Sequence, residues 1–109
     1  MLFNITKNCL IAEEALFCKS CLSKASGLMF SKRKNLVFVF DKEVKESLHM
    51  FFVFYPIDVL FLDKDKRVVE IKRNFKPFKF YFPKNKAQYI IELAKDYQVN
   101  YSVGDELRF

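Results

Sequence analysis

The sequence predicts a mainly β fold: a compact β-sandwich or barrel-like domain with one short helix near 18–28 and a helical turn near 94–101. Three observations lead there. The longest apolar run, Leu48 to Leu62, is rich in β-branched and aromatic residues, which suit pleated strands. Pro56 cuts that run into two strands, because proline has no N–H to give to a central ladder. Leu36-Val37-Phe38-Val39-Phe40 is apolar at every position, as in a strand covered on both faces.

The 109 residues make one domain, 1–109, with no internal repeat, linker or low-complexity segment. A chain of this length buries roughly 65% of its unfolded surface. Its 14 Phe and 5 Tyr supply that core without disulfides. A membrane-spanning helix needs about 18 or more apolar residues. The central run is shorter and contains His49, Pro56 and Asp58, so no membrane partner is expected.

In chain order, Leu2 to Thr6 reads as a short strand and Lys7-Asn8 as a turn. Cys9 to Phe17 reads as a second strand interrupted at Glu13-Glu14. Phe17, Cys21, Leu22, Ala25 and Leu28 then fall on one helical face, and Gly27 stands where a left-handed cap is expected. Ser31 to Asn35 is a basic loop, and Asp41 to Glu46 a charged one. In the second half of the central run, alternation sends Ile57, Val59 and Phe61 one way and Asp58, Leu60 and Leu62 the other. Asp63-Lys64-Asp65-Lys66 is a hairpin turn, and Arg67 to Asn74 the returning strand. Phe75 to Pro83 holds two prolines and reads as an extended edge or loop. Ala87 to Leu93 is a strand with Ala87, Tyr89, Ile91 and Leu93 on one face. Val103-Gly104-Asp105 turns the chain, and Leu107 to Phe109 is a last short strand.

The net charge of +6 favours acidic partners in a general way. Residues 64–86 hold nine basic residues against two acidic ones, which accounts for the whole excess. Three cysteines do not make a disulfide framework, and no signal peptide is visible, so a reducing cytoplasm is the expected setting.

Five segments in order carry a resemblance: Gly27-Leu28-Met29, Leu36 to Phe40, His49 to Asp63, Tyr89-Ile90-Ile91-Glu92-Leu93, and Val103-Gly104-Asp105. Their spacing resembles the family known as domain of unknown function 192, or uncharacterised protein family 0127. The resemblance implies a mainly β, sandwich-like domain of this length and no particular activity. Many relatives carry Trp-Met-Lys-Asn-Thr where this chain has His49-Met50-Phe51-Phe52-Val53, so only Met50 is kept. A polar site built on that Lys and Asn does not operate here. The version without it looks like the archaeal-type branch, which fits a cytoplasmic protein.

Asp58 is the first candidate site residue. It falls on a face that looks buried, either as a general base or ligand hook, or as a carboxylate fastening a loop by taking backbone N–H groups near Pro56. Glu92 and Asp105 are the other acids in the resembling segments; Asp105 also suits a turn that caps backbone amides. His49 is the sole histidine, with no nucleophile placed beside it, and reads best as a packed strand residue. Cys18-Lys19-Ser20-Cys21 lacks the second pair of ligands that zinc needs, and Cys9 and His49 complete a set only by coincidence of folding. No metal and no cofactor are expected. Asp63-Lys64-Asp65-Lys66 is too poor in oxygen ligands for calcium.

The preferred expectation is a non-enzymatic module that binds a small molecule or a protein. Its apolar pocket lies near Asp58, lined by Met29, Met50, Phe52, Asp58, Glu92 and Asp105. The alternative is a hydrolase-like enzyme using Asp58 with Glu92 or Asp105. A second alternative, less favoured, is single-stranded nucleic-acid binding through Lys72, Arg73, Lys76, Phe78, Lys79 and Tyr81, where bases alternate with aromatic rings.

Overall fold

The structure, a computed structural model, describes residues 1–19, 35–45, 48–49, 57–76, 80–94 and 101–109. Among these residues ten strands run in order: β1 (Leu2–Asn4), β2 (Cys9–Ala12), β3 (Leu16–Lys19), β4 (Leu36–Val44), β5 (Leu48–His49), β6 (Ile57–Leu62), β7 (Val68–Phe75), β8 (Phe80–Tyr81), β9 (Ala87–Ala94) and β10 (Leu107–Arg108). They form a five-stranded sheet ordered β3-β4-β9-β6-β7, a three-stranded sheet ordered β10-β1-β2, and a separate β5-β8 pair. The architecture is two packed sheets, and no sheet closes into a barrel among the described residues.

The five-stranded sheet is apolar on both faces because its inner strands are. Leu36, Phe38, Phe40, Ile57, Val59, Phe61, Phe75 and Ile90 pack together on one face. Val37, Leu60, Leu62, Ile91 and Leu93 pack on the other, against Leu2 and Leu107 of the small sheet. The alternation expected for 36–40 and 57–62 holds at each of these residues. At Ala87 it does not, for this residue joins the Ile90 cluster rather than that of Tyr89, Ile91 and Leu93. The β4–β9 ladder is irregular at that point, passing from Val39 opposite Tyr89 to Val44 opposite Ala87.

Several turns match their residues. Asn8 has φ 51° and Gly104 φ 99°, left-handed conformations that suit Asn and Gly. In the β6–β7 hairpin, Asp63 Oδ1 accepts the N–H groups of Asp65 at 2.9 Å and Arg67 at 3.0 Å.

β1 ends at Asn4 rather than Thr6, with Ile5 and Thr6 in the turn that follows, and three larger boundaries also differ from expectation. Asp41 to Val44 continues β4 instead of opening a loop, held at its end by the rung between Val44 and Ala87. Cys18 and Lys19, assigned to the start of a helix, are strand residues paired in parallel with Phe38 and Val39; a non-local partner outweighs the local helical spacing. Ala94 ends β9 opposite Ile57 rather than starting a helical turn. The rest of the helix near 18–28, and residues 95–100 of the turn near 94–101, lie outside the described residues, as does Pro56. Of the first half of the central run, Leu48 and His49 pair with Tyr81 and Phe80 in the two-stranded piece.

Candidate functional site

Among the described residues, three carboxylates are buried and hydrogen-bonded by several partners, and a fourth is buried with an oxygen that has none. The contrast defines the candidate site.

Asp58 sits on β6 between two residues that face the Phe38 side, so its own side chain faces the small sheet, with no exposure. The partner strand bulges there: Ile57 opposes Phe75 and Val59 opposes Lys72, so Arg73 and Asn74 share the place opposite Asp58. Asn74 takes φ 52°. Its N–H donates to Asp58 Oδ1 at 2.8 Å, and the Tyr101 hydroxyl donates to Oδ2 at 2.5 Å. Arg73 stands 3.9 Å from Oδ2, stacks over the Tyr101 ring at 5.1 Å, and donates to the Tyr101 carbonyl at 2.8 Å. Burial, then the bond to Asp58 and its charge, push the Tyr101 phenol far above its ordinary pKa despite the nearby Arg73. Asp58 thus fastens a β-bulge and the residue-101 segment to the sheet.

Asp105 and Glu70 have similar tasks. Asp105 Oδ2 accepts from Asn4 Nδ2 and the Ser102 N–H, both at 2.8 Å, and lies 3.1 Å from Lys7 Nζ. The turn-capping role expected of it is the geometry found. Burial alone would raise its pKa, but these partners outweigh burial and hold it below the ordinary value. Glu70 accepts the Tyr81 hydroxyl, the N–H groups of Lys84 and Asn85 at 2.9 Å, and Asn85 Nδ2 at 3.1 Å. Here too burial pushes up and the hydrogen bonds win, so the carboxyl is lowered. Burial and Glu70 together push the Tyr81 phenol up to about 12.

Glu92 differs. It lies on β9 between Ile91 and Leu93, which face the small sheet, so alternation turns Glu92 toward the opposite face. Its strand neighbours are Leu36 of β4 and Val59 of β6, both fully buried apolar residues. The same rung continues outward to Leu16 of β3 and Lys72 of β7. Glu92 is 6% exposed, and its Oε1 is buried without a hydrogen-bond partner among the described residues. Burial pushes its pKa up to about 8. At neutral pH it is a carboxylic acid set in an apolar row, able to donate one hydrogen bond and accept others.

Asp58 and Glu92 are therefore on opposite faces of one sheet and do not meet at a common substrate. Asp105 belongs to a third network with Asn4 and Lys7. Met29, Met50, Phe52, Phe78 and Lys79 lie outside the described residues, as do Cys21 and the side chains of Cys18 and His49. The basic candidates diverge. Lys72 lies over the Tyr81 ring at 5.7 Å, whereas Arg73 is committed to Tyr101 on the other face. Lys76 is exposed. Tyr81 packs against Phe61 and Phe75, with ring centroids 5.7 and 6.1 Å away, so its ring serves the core. Sequence reasoning missed Tyr101, Asn74 and Glu70. Glu70 carried a signal, an acid inside the apolar strand Val68-Val69-Glu70-Ile71; Tyr101 and Asn74 carried none, since both act through non-local pairing. Among the described residues no three His, Cys, Asp or Glu side chains are grouped to hold a metal, and no helix is long and apolar enough to cross a membrane.

Residues 5–109 match the family model of DUF192, described as an uncharacterized ACR. A UPF0127 protein of Thermococcus sibiricus is 39% identical over 98% of this chain and 73% of its own length. Another, from Pyrococcus horikoshii, is 42% identical over 84% of this chain and 82% of its own. A third, from Pyrococcus furiosus, is 36% identical over 99% and 97%. Among solved structures, a protein of unknown function from Novosphingobium aromaticivorans superposes with a TM-score of 0.70 at 18% identity, covering 85% of this chain and 72% of that one. A Sinorhizobium meliloti protein proposed to be a transcription regulator gives 0.69 at 21% identity, covering 84% and 78%. At those identities the likeness is one of fold.

Proposed function

This chain belongs to the DUF192 (UPF0127) family, and from that premise we propose that it is a non-catalytic binding module for a small, largely apolar molecule held on the Glu92 face of the five-stranded sheet. The observation that supports this is the buried Glu92 Oε1 without a hydrogen-bond partner among the described residues. An unpaired buried polar atom costs about 1–3 kcal/mol, and a ligand hydroxyl or amide N–H at Oε1 recovers that cost. The apolar neighbours Leu36 and Val59 suit the body of such a ligand. Asp58, fastened from the other face, keeps β6 and β7 in register and does not touch the ligand. The three cysteines and the branch resemblance support a cytoplasmic setting.

Native mass spectrometry of protein purified without denaturant tests this. The expected result is a small molecule released on acid denaturation, lost in Glu92→Leu and kept in Lys76→Ala. Bare chain only, together with no thermal-shift response to a panel of small apolar alcohols and amides, overturns it.

A further inference from the structure

The rung that carries Glu92 ends in unlike residues at the two margins of the sheet. Paired residues of a ladder share a face, so Leu16, Leu36, Glu92, Val59 and Lys72 point the same way, one from each strand. The inner three are buried, and the outer two are not: Leu16 is 40% exposed and Lys72 half-buried. Leu16 offers no polar group, so the β7 end alone supplies a charge.

Lys72 Nζ lies 5.7 Å from the centre of the Tyr81 ring, and among the described residues no carboxylate pairs with it. Glu70, two residues back on the same strand, is already engaged. Its oxygens accept the Tyr81 hydroxyl, the N–H groups of Lys84 and Asn85, and Asn85 Nδ2. Arg73, the next cation along β7, serves Asp58 and Tyr101 on the other face. Tyr81 roofs the Lys72 end of the row. Phe61 and Phe75 belong to the rungs on either side of Val59 and Lys72, and Tyr81 packs against both.

Two interstrand steps of about 4.8 Å separate Glu92 from Lys72, roughly 10 Å in all, the reach of a chain of about eight carbons. A charged group is costly beside Glu92, where Leu36 and Val59 offer nothing to replace its water. At Lys72 the same group meets an ammonium at the solvent margin. The Glu92 end calls for a neutral polar group, which supplies the hydrogen bond that Oε1 lacks.

We propose that the molecule held at Glu92 is an amphipathic monoanion, a carboxylate of about eight carbons with a hydroxyl or amide at its far end, which enters beneath Tyr81 and leaves its charge on Lys72. The inference rests on the reading of Glu92 given above and adds the charge, polarity and length of the ligand.

Titration calorimetry of the full chain at neutral pH tests it with ω-hydroxyoctanoate, octanoate and α,ω-octanediol, each up to about 10 mM, the range of a weak small-molecule site. The hydroxy acid is expected to bind about three- to tenfold tighter than the diol, as a charge met by a half-exposed cation allows. Lys72→Met removes that preference and Lys72→Glu reverses it. Lys64→Met, in the exposed β6–β7 turn, keeps it, and thermal midpoints report the fold of each variant. Octanoate, which lacks the hydroxyl, binds more weakly than the hydroxy acid in the wild type and equally in Glu92→Leu. The two comparisons fail separately. A diol that binds the wild type as tightly as the hydroxy acid, or a preference that outlives Lys72→Met, overturns the assignment of Lys72 and leaves the Glu92 reading standing. Octanoate equal to the hydroxy acid in the wild type, or no binding of any of the probes, overturns the Glu92 reading and this inference with it.

Discussion

Asp58 and Glu92 are buried on opposite faces of the five-stranded sheet, on neighbouring strands, and meet opposite surroundings. On the small-sheet face, Asp58 is met by the Asn74 N–H, the Tyr101 hydroxyl and Arg73. On the other face, Glu92 is met by Leu36 and Val59 and keeps an unpaired oxygen. Burying a carboxylate is tolerable when hydrogen bonds replace water and costly when they do not. A partnered acid is thus explained by the fold it holds together, while one without such partners calls for a role outside the fold. Burial by itself would have ranked the two acids alike.

The largest effect that can break this contrast is expected at Asp58. Asp58→Ala strands the Asn74 N–H and the Tyr101 hydroxyl, a loss of about 1–3 kcal/mol for each, and leaves the half-exposed Arg73 without its acid, which adds little. Tyr101→Phe removes one of those bonds and is expected to cost about 1–3 kcal/mol. Urea unfolding measures both. A cost for Asp58→Ala no larger than that for Tyr101→Phe would mean that the bulge and the Arg73 contact contribute nothing.

Glu92 is expected to respond with the opposite sign. Its pKa is raised in the fold from 4.5 to about 8, so between those values the folded chain holds a proton that the unfolded chain gives up. The associated stability is fully present below the unfolded value and is lost as pH rises through the window, at up to about 1.4 kcal/mol per pH unit. Glu70 and Asp105, whose pKa values are lowered, contribute stability above the ordinary carboxylate range and lose it as pH falls. The profile of the wild-type chain is therefore a dome, with Glu92 setting its alkaline side. Glu92→Gln flattens that side and leaves the acid side unchanged. If the alkaline slope persists in Glu92→Gln, Glu92 is not the group that carries it.

The core of this contrast was legible in the sequence, and its outcome was not. Alternation along Ile57 to Leu62 placed Asp58 with Leu60 and Leu62, and the structure agrees, because a strand covered on both faces must obey the period of two. The same period along β9 puts Glu92 opposite to Ile91 and Leu93, which already separates it from Asp58 once β6 and β9 are known to be neighbours. That neighbourhood is a matter of strand order, and strand order is not written locally. Cys18 and Lys19 fail for the same reason. Their helical spacing is real, yet a parallel rung to Phe38 and Val39 lies about twenty residues away and decides the outcome. The partners of Asp58, Tyr101 and Asn74, likewise come from distant segments.

The smallest expected effect sharpens the comparison at the bulge. Asn74 holds φ 52° and gives its N–H to Asp58. Only the backbone is engaged in that bond, so Asn74→Gly keeps it and should lie within about 0.5 kcal/mol of wild type. Asn74→Val forces a β-branched residue into the left-handed region and should cost about 1–2 kcal/mol. Without the bulge, alternation from Lys72 would send Phe75 to the small-sheet face; with it, Phe75 returns to the cluster of Val59 and Phe61. An Asn74→Val variant that keeps the pH profile of Glu92 while losing stability shows that the two faces answer independently. One that shifts the alkaline limb shows that the bulge, through Phe75, also sets how dry the Glu92 face is.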